Sequence, residues 1–217
     1  MTNDDIYNEQ NHILIEGGGY PAFWYCLGYC KQYIKSTTPK FIAGYSAGSI
    51  VAVLLLLPDI TLIDILEIYV NNITCCIFCS LESNIRKMMN ILPNNTYKLA
   101  NTKIGIILCE PRNNNKCKMV INWNSNEELI DCLVASCYNP CITNGIFSTV
   151  DNKYNCRDAI YSSNLQEFIN NFNYTISKPT NELFISRFIN NFIPLSSEKS
   201  LILYNNGSSN FWKIKNY

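Results

Sequence analysis

The run Gly44-Tyr45-Ser46-Ala47-Gly48 carries the residue types and spacing most suggestive of chemistry. In Gly-x-Ser-x-Gly the serine sits on a sharp, strained strand-to-helix turn, and the flanking glycines let neighbouring segments approach without a Cβ clash. The helix that starts there points its amides and positive dipole end at the reacting centre. Upstream, Gly17-Gly18-Gly19 supplies a second requirement of acyl transfer, backbone amides free to turn inward on a developing oxyanion. Nucleotide binding is poorly supported at these glycines. No Gly-Lys-Ser/Thr follows, and Gly-x-Gly-x-x-Gly fails at Ala22.

Histidine narrows the mechanism. The sole histidine, His12, precedes the glycine loop, whereas an α/β-hydrolase triad places its histidine after the serine. His12 therefore reads as a strand residue, and Ser46 needs a carboxylate or a lysine as its direct base. Asp151 and Asp158 both lie downstream, and the residues themselves do not separate them; Asp151 has the setting of a turn aspartate beside Asn152.

The surrounding pattern must position these groups. His12 to Ile15 reads as a short buried strand, Tyr20 to Ile34 as a helix, Lys40 to Ala43 as a second strand, and Ile50 to Leu57 as a buried helix ending at Pro58. Strand, turn and helix thus occur twice, which predicts α/β architecture with a mainly parallel sheet and helices on its faces. Further helices are expected from Asp59, as cap, to Val70, through Met88 and Met89 to Leu92, and from Ser125, where Ser125 to Glu128 has capping-box spacing. Ile104 to Cys109 is expected to pair with Lys118 to Trp123, and Ile146 to Arg157 to form a hairpin leading to Asp158. Residues 165–217 read as peripheral helices with a terminal strand at Ser200 to Tyr204. Nothing in the chain demands a second domain, so 1–217 is expected to form one.

Composition excludes several functions. Formal net charge is zero, so no long-range field attracts nucleic acid. The longest apolar run, Ile50 to Leu57, falls far short of a membrane span. Eleven cysteines, an odd number, follow an acidic, polar N-terminus, which predicts thiols in a reducing, cytoplasmic setting. Cys76-Ile77-Phe78-Cys79 stands without a second ligand pair, so no metal is expected.

Four ordered blocks resemble the patatin-like phospholipases: His12 to Tyr20, Phe41 to Ser49, Glu127 to Pro140, and Asp158-Ala159. The run Gly-Gly-Gly-Tyr-x-Ala-x-Trp-Tyr is closest in character to the adipose triglyceride lipase-like branch, and the resemblance covers about 13–165. It implies a three-layer patatin-like fold and a Ser-Asp dyad. Ser46 is then the nucleophile, Asp158 the base, Gly17, Gly18 and Gly19 the oxyanion loop, and Gly44 and Gly48 the elbow glycines. The family's Asp-Gly reads Asp158-Ala159 here, and Pro21 and Ala22 follow the loop. The implied activity is phospholipase A or acylglycerol lipase chemistry at a membrane or lipid-droplet surface, without a cofactor. The apolar stretch Ile60 to Met89 is the expected acyl groove. A catalytically silent binding protein of the same fold and a transacylase are the alternatives.

Overall fold

The computed structural model of the chain describes residues 11–72, 81–139, 154–179 and 194–215. Its elements are β1 (His12–Ile15), α1 (Gly19–Ser36), β2 (Phe41–Gly44), α2 (Ala47–Leu54), α3 (Leu62–Asn72), α4 (Leu81–Met89), α5 (Thr96–Ala100), β3 (Ile104–Glu110) and β4 (Lys116–Val120). They continue with α6 (Asn126–Ser136), β5 (Arg157–Asp158), α7 (Leu165–Ile169), β6 (Tyr174–Ile176) and α8 (Ser197–Lys215). Their main path through one open sheet is β4-β3-β2-β1-β6, with β5 joined to β3. Parallel pairing links β6, β1, β2 and β3, while β4 and β5 run antiparallel to β3.

Strand residues alternate between two apolar layers, as the pleat requires. Ile13, Ile15, Ile42, Ile104, Ile106 and Leu108 join the larger core beneath α1, α2, α4 and α6. Leu14, Phe41, Ala43 and Ile107 face the opposite way, towards Ile169 and Phe172 with Leu165 and Phe168 packed alongside. The molecule is α/β, with a mixed, mostly parallel open sheet between helices. α1 carries the chain from β1 to β2, whereas β6 enters on the other side of β1. Strand order therefore reverses at β1, and a crevice at the carboxyl ends of strands around such a reversal is where open α/β sheets bind ligands. The glycine loop leaves β1 at that end and Ser46 follows β2 there.

Several sequence expectations change. Ser200 to Tyr204 is helical within α8, because a four-residue apolar run fits a helix as well as a strand. What selects the helix is its contact with α1: a Cβ on Gly28 would lie 2.0 Å from the Tyr204 carbonyl oxygen, and one on Gly207 would lie 2.1 Å from that of Tyr25. Two glycines thus let the helices touch backbone to backbone. Nor is the region beyond 165 wholly peripheral, since β6 extends the sheet beside β1. The α3 cap is Thr61, not Asp59. The Thr61 hydroxyl accepts from the Asp64 N–H at 3.2 Å while the Asp64 carboxylate accepts from the Thr61 N–H at 2.7 Å, a reciprocal capping box. At α6 the box is half formed: Ser125 accepts from the Glu128 N–H, but the Glu128 carboxylate binds the Asn124 N–H. Most of the proposed hairpin, Asp151 included, and Cys76 and Cys79 lie outside the described residues. Among the described residues no helix is long and apolar enough to cross a membrane, and the cysteines are free thiols.

Candidate active site

Ser46 adopts φ 52° and ψ −133°, a region that a non-glycine residue occupies only when its surroundings impose it. Close packing imposes it here. A Cβ on Gly48 would lie 2.1 Å from the Ile15 carbonyl oxygen, and one on Gly44 would lie 2.5 Å from the Gly48 carbonyl oxygen. Hydrogen bonds fix the turn from both sides. The Ser46 carbonyl accepts from the Ser49 N–H at 3.0 Å and the Ser49 hydroxyl at 2.6 Å. The Ser46 N–H donates to the Ser136 hydroxyl at 2.9 Å, which in turn donates to the Ile107 carbonyl at 2.9 Å. One hydroxyl on α6 thereby ties the elbow to β3.

The glycine loop lies against this turn. A Cβ on Gly17 would come within 2.6 Å of the Ser46 Cβ, so only glycine brings the loop so near the serine. Gly18 and Gly19 have φ of 135° and 65°, conformations that strain any other residue. α1 begins at Gly19 and α2 at Ala47, so two helix N-termini, each with amides lacking an intrahelical acceptor, start beside Ser46. Pro21 falls in the first turn of α1, where its missing N–H has no helical partner to forfeit.

Asp158 reaches the same point by another route. β2 pairs with β3 as far as Gly44 opposite Ile106, then departs into the elbow. β5 takes over that edge of β3, with Asp158 opposite Leu108, roughly 7 Å further along at two residues of strand rise. The vacated lane thus delivers Asp158 to the serine. Its buried carboxylate accepts a hydrogen bond from the Ile160 N–H at 3.1 Å, and the side chains of Ser46 and Asn139 stand close enough to favour its charged form. Burial raises its pKa from 3.8 to about 6, against the lowering effect of those donors. Tyr161 donates to the Asn139 Oδ1 at 2.8 Å and Asn139 Nδ2 also donates to the Cys137 carbonyl at 3.0 Å, which orients the amide beside Asp158. Ala159 enters a one-turn 3-10 helix, Ala159–Tyr161, and is not among the residues with positive φ. Alanine after Asp158 therefore costs no backbone strain.

A pocket opens from Ser46 between α1, α2 and α4, lined by Tyr20, Phe23, Ile50, Ile85 and Met88 among others. Its cavity measures about 40 Å³, several times the roughly 10–15 Å³ that one water molecule requires. Within the stretch Ile60 to Met89, α4 forms the pocket wall. Cys137 also borders it, and burial together with the negative charge of Asp158 pushes its thiol well above the ordinary value. It stays protonated, the unreactive form of a thiol. Among the described residues no group of three His, Cys, Asp or Glu side chains could hold a metal ion.

The structure brings together Ser46, Asp158 and the three loop glycines, with Gly44 and Gly48 shaping the turn. Sequence reasoning missed Ser136 and Asn139. Both fall in the Ala135-Ser136-Cys137-Tyr138-Asn139 run, whose small and polar residues at the end of an apolar helix were a usable signal. Comparison of the chain with protein-family models and with curated proteins finds no match.

Proposed function

We propose that the chain is a serine-dependent carboxylic ester hydrolase of the patatin type, acting on fatty-acyl esters of phospholipids or acylglycerols through Ser46 and Asp158. One observation carries this reading: a serine in a strained strand-to-helix elbow stands beside a buried aspartate whose carboxyl its side chain perturbs, with a glycine loop lying against the turn. As Ser46 Oγ attacks the ester carbonyl, its proton passes to Asp158. A base of pKa about 6 is ionised at neutral pH yet basic enough to take that proton. Negative charge on the carbonyl oxygen meets the amides of the glycine loop and the two helix N-termini. Asp158 then protonates the departing alcohol, leaving an acyl-serine. Water attacks that ester, Asp158 takes the water proton and returns it to Ser46 Oγ, and the fatty acid leaves.

The apolar pocket beside Ser46 supports an acyl substrate, and the ordered sequence blocks that resemble patatin-like phospholipases support the lipid class. The direct test is hydrolysis of a fluorogenic fatty-acyl ester by wild type, Ser46→Ala and Asp158→Asn, with labelling by a fluorophosphonate probe. Wild type alone should turn over the ester, and Ser46→Ala should lose labelling. Equal activity in all three proteins refutes the dyad, and an unlabelled Ser46 in folded wild type identifies a silent binding protein.

A further inference from the structure

Cys109 on β3 and Cys117 on β4 stand opposite each other in the antiparallel ladder, and no step of the ester chemistry uses either thiol. Their pairing is of the kind that brings side chains closest. The Ile42 N–H donates to the Lys103 carbonyl at 2.9 Å, so from Lys103 onward the odd-numbered residues turn their backbone groups to the β2 edge and leave β4 to the even-numbered ones. The Cys117 N–H likewise points away from β3, donating to the Asn164 Oδ1 at 2.8 Å. Cys109 and Cys117 thus form a non-hydrogen-bonded pair, with Cα atoms about 4.5 Å apart, inside the roughly 4.4–6.8 Å that a disulfide spans. Both are free thiols, and among the described cysteines Cys117 alone is not buried. The Cys109 thiol donates to the Asn115 Oδ1 at 3.9 Å, towards the turn that opens β4. Burial raises the pKa of Cys117, Ser162 opposes this, and Cys109 raises it further, so the two thiols lie within each other's influence.

We infer that Cys109 and Cys117 are a redox site, a dithiol that a peroxide converts into a reversible cross-strand disulfide. It uses neither Ser46 nor Asp158, so it stands apart from the hydrolase reading. Cys117, the partly exposed member, reacts first: its thiolate attacks one peroxide oxygen, forming a sulfenic acid, and the released hydroxide takes up the thiol's proton as water. The Cys109 sulfur then attacks the sulfenic sulfur, the S–O bond breaks, and the hydroxyl leaves with the Cys109 proton as a second water. Two thiols lose two electrons in all, and the peroxide gains them. The raised Cys117 pKa keeps the thiol protonated at neutral pH, so the dithiol is the resting form. Facing Cβ atoms lie about 4.5–5.5 Å apart in such a pair and roughly 3.5–4.5 Å apart in a disulfide, so the strands must close by about 1 Å. β4 ends the sheet, with β3 its ladder neighbour, and is free to make that shift. A bond formed under such tension is readily reduced.

The test treats the folded full-length protein with hydrogen peroxide, blocks the remaining thiols with iodoacetamide, and maps tryptic peptides by mass spectrometry with and without dithiothreitol. A species linking residues 104–112 to 117–118 should appear about tenfold above any other pairing of either cysteine, and disappear on reduction. In Cys109→Ser the Cys117 sulfenic acid has no resolving thiol, and its labelling by dimedone should rise about tenfold over wild type. Should Cys109→Ser not fold, the wild-type peptide map alone decides. Both thiols staying reduced, Cys117 passing to sulfinic acid while Cys109 stays reduced, Cys109 linking to Cys156 instead, or a link that dithiothreitol leaves intact overturns the inference.

Discussion

Asp158→Asn should cut activity sharply and at the same time stabilise the protein. Asp158 is 3% exposed, and burial raises its pKa from 3.8 to about 6. At roughly 1.4 kcal/mol per pKa unit, ionising it costs the fold about 3 kcal/mol relative to the unfolded chain. The lowering influence of Ser46, Asn139 and the Ile160 N–H is already within that figure, since it opposes burial in setting the same pKa. The sign follows from the raised value. The folded state holds the proton more tightly, so below 3.8 no penalty exists, it grows as pH climbs towards 6, and it is complete above that. Asparagine has nearly the same shape, can still accept from the Ile160 N–H, and carries no charge at any pH. Asp158→Asn should therefore be about 2–3 kcal/mol more stable than wild type near pH 8, a gain of several degrees in Tm, with most of that gain gone near pH 4. Its kcat should fall by about 10²–10⁴, the usual contribution of a general base. Urea unfolding at both pH values and ester hydrolysis measure the two effects. Equal or lower stability of Asp158→Asn near pH 8, or a gain that does not shrink on acidification, refutes the assignment of Asp158 as a buried, ionised base.

Three further outcomes follow from the same geometry. Because only the ionised carboxylate accepts the Ser46 proton, kcat/KM should rise with pH to half its plateau near 6; a profile flat across that range refutes the role. Ser136→Ala leaves the Ser46 N–H and the Ile107 carbonyl without their shared partner, and urea unfolding should show a loss of about 1–3 kcal/mol, with kcat reduced more than KM is changed. Gly48→Ala drives a Cβ to within 2.1 Å of the Ile15 carbonyl oxygen and should cost about 3 kcal/mol or more, read as a lowered urea midpoint or loss of soluble protein.

The parts of the site legible in the sequence are those whose backbone demands a particular residue type. Gly18 and Gly19 need positive φ, and Gly17, Gly44 and Gly48 need the absence of a Cβ, so their spacing announced the loop and the elbow. The strands β1 and β2 were legible because short apolar runs end directly in those glycines. Asp158 was not separable from Asp151 by residues alone, because its role depends on a lane beside β3 that only the assembled sheet creates. Ser136 is one hydroxyl at the end of an apolar helix, and its value comes from two backbone partners distant in sequence. The misread at Ser200 to Tyr204 has a different cause: four apolar residues carry no usable period, and the close approach that Gly28 on α1 permits is visible only once the helices are packed.

The two-residue strand β5 makes the timing of activity a property of topology. Glycine loop, elbow and first helices come from the opening stretch of the chain and can assemble through contacts close in sequence, whereas the base arrives with a distant segment that must find the vacant edge of β3. Closing such a distant contact carries a larger entropic cost than closing a local one. A ribosome-bound chain emerging as far as α6 would thus carry Ser46 without Asp158 beside it. On the reading proposed above, competence would then wait for β5 to dock on β3.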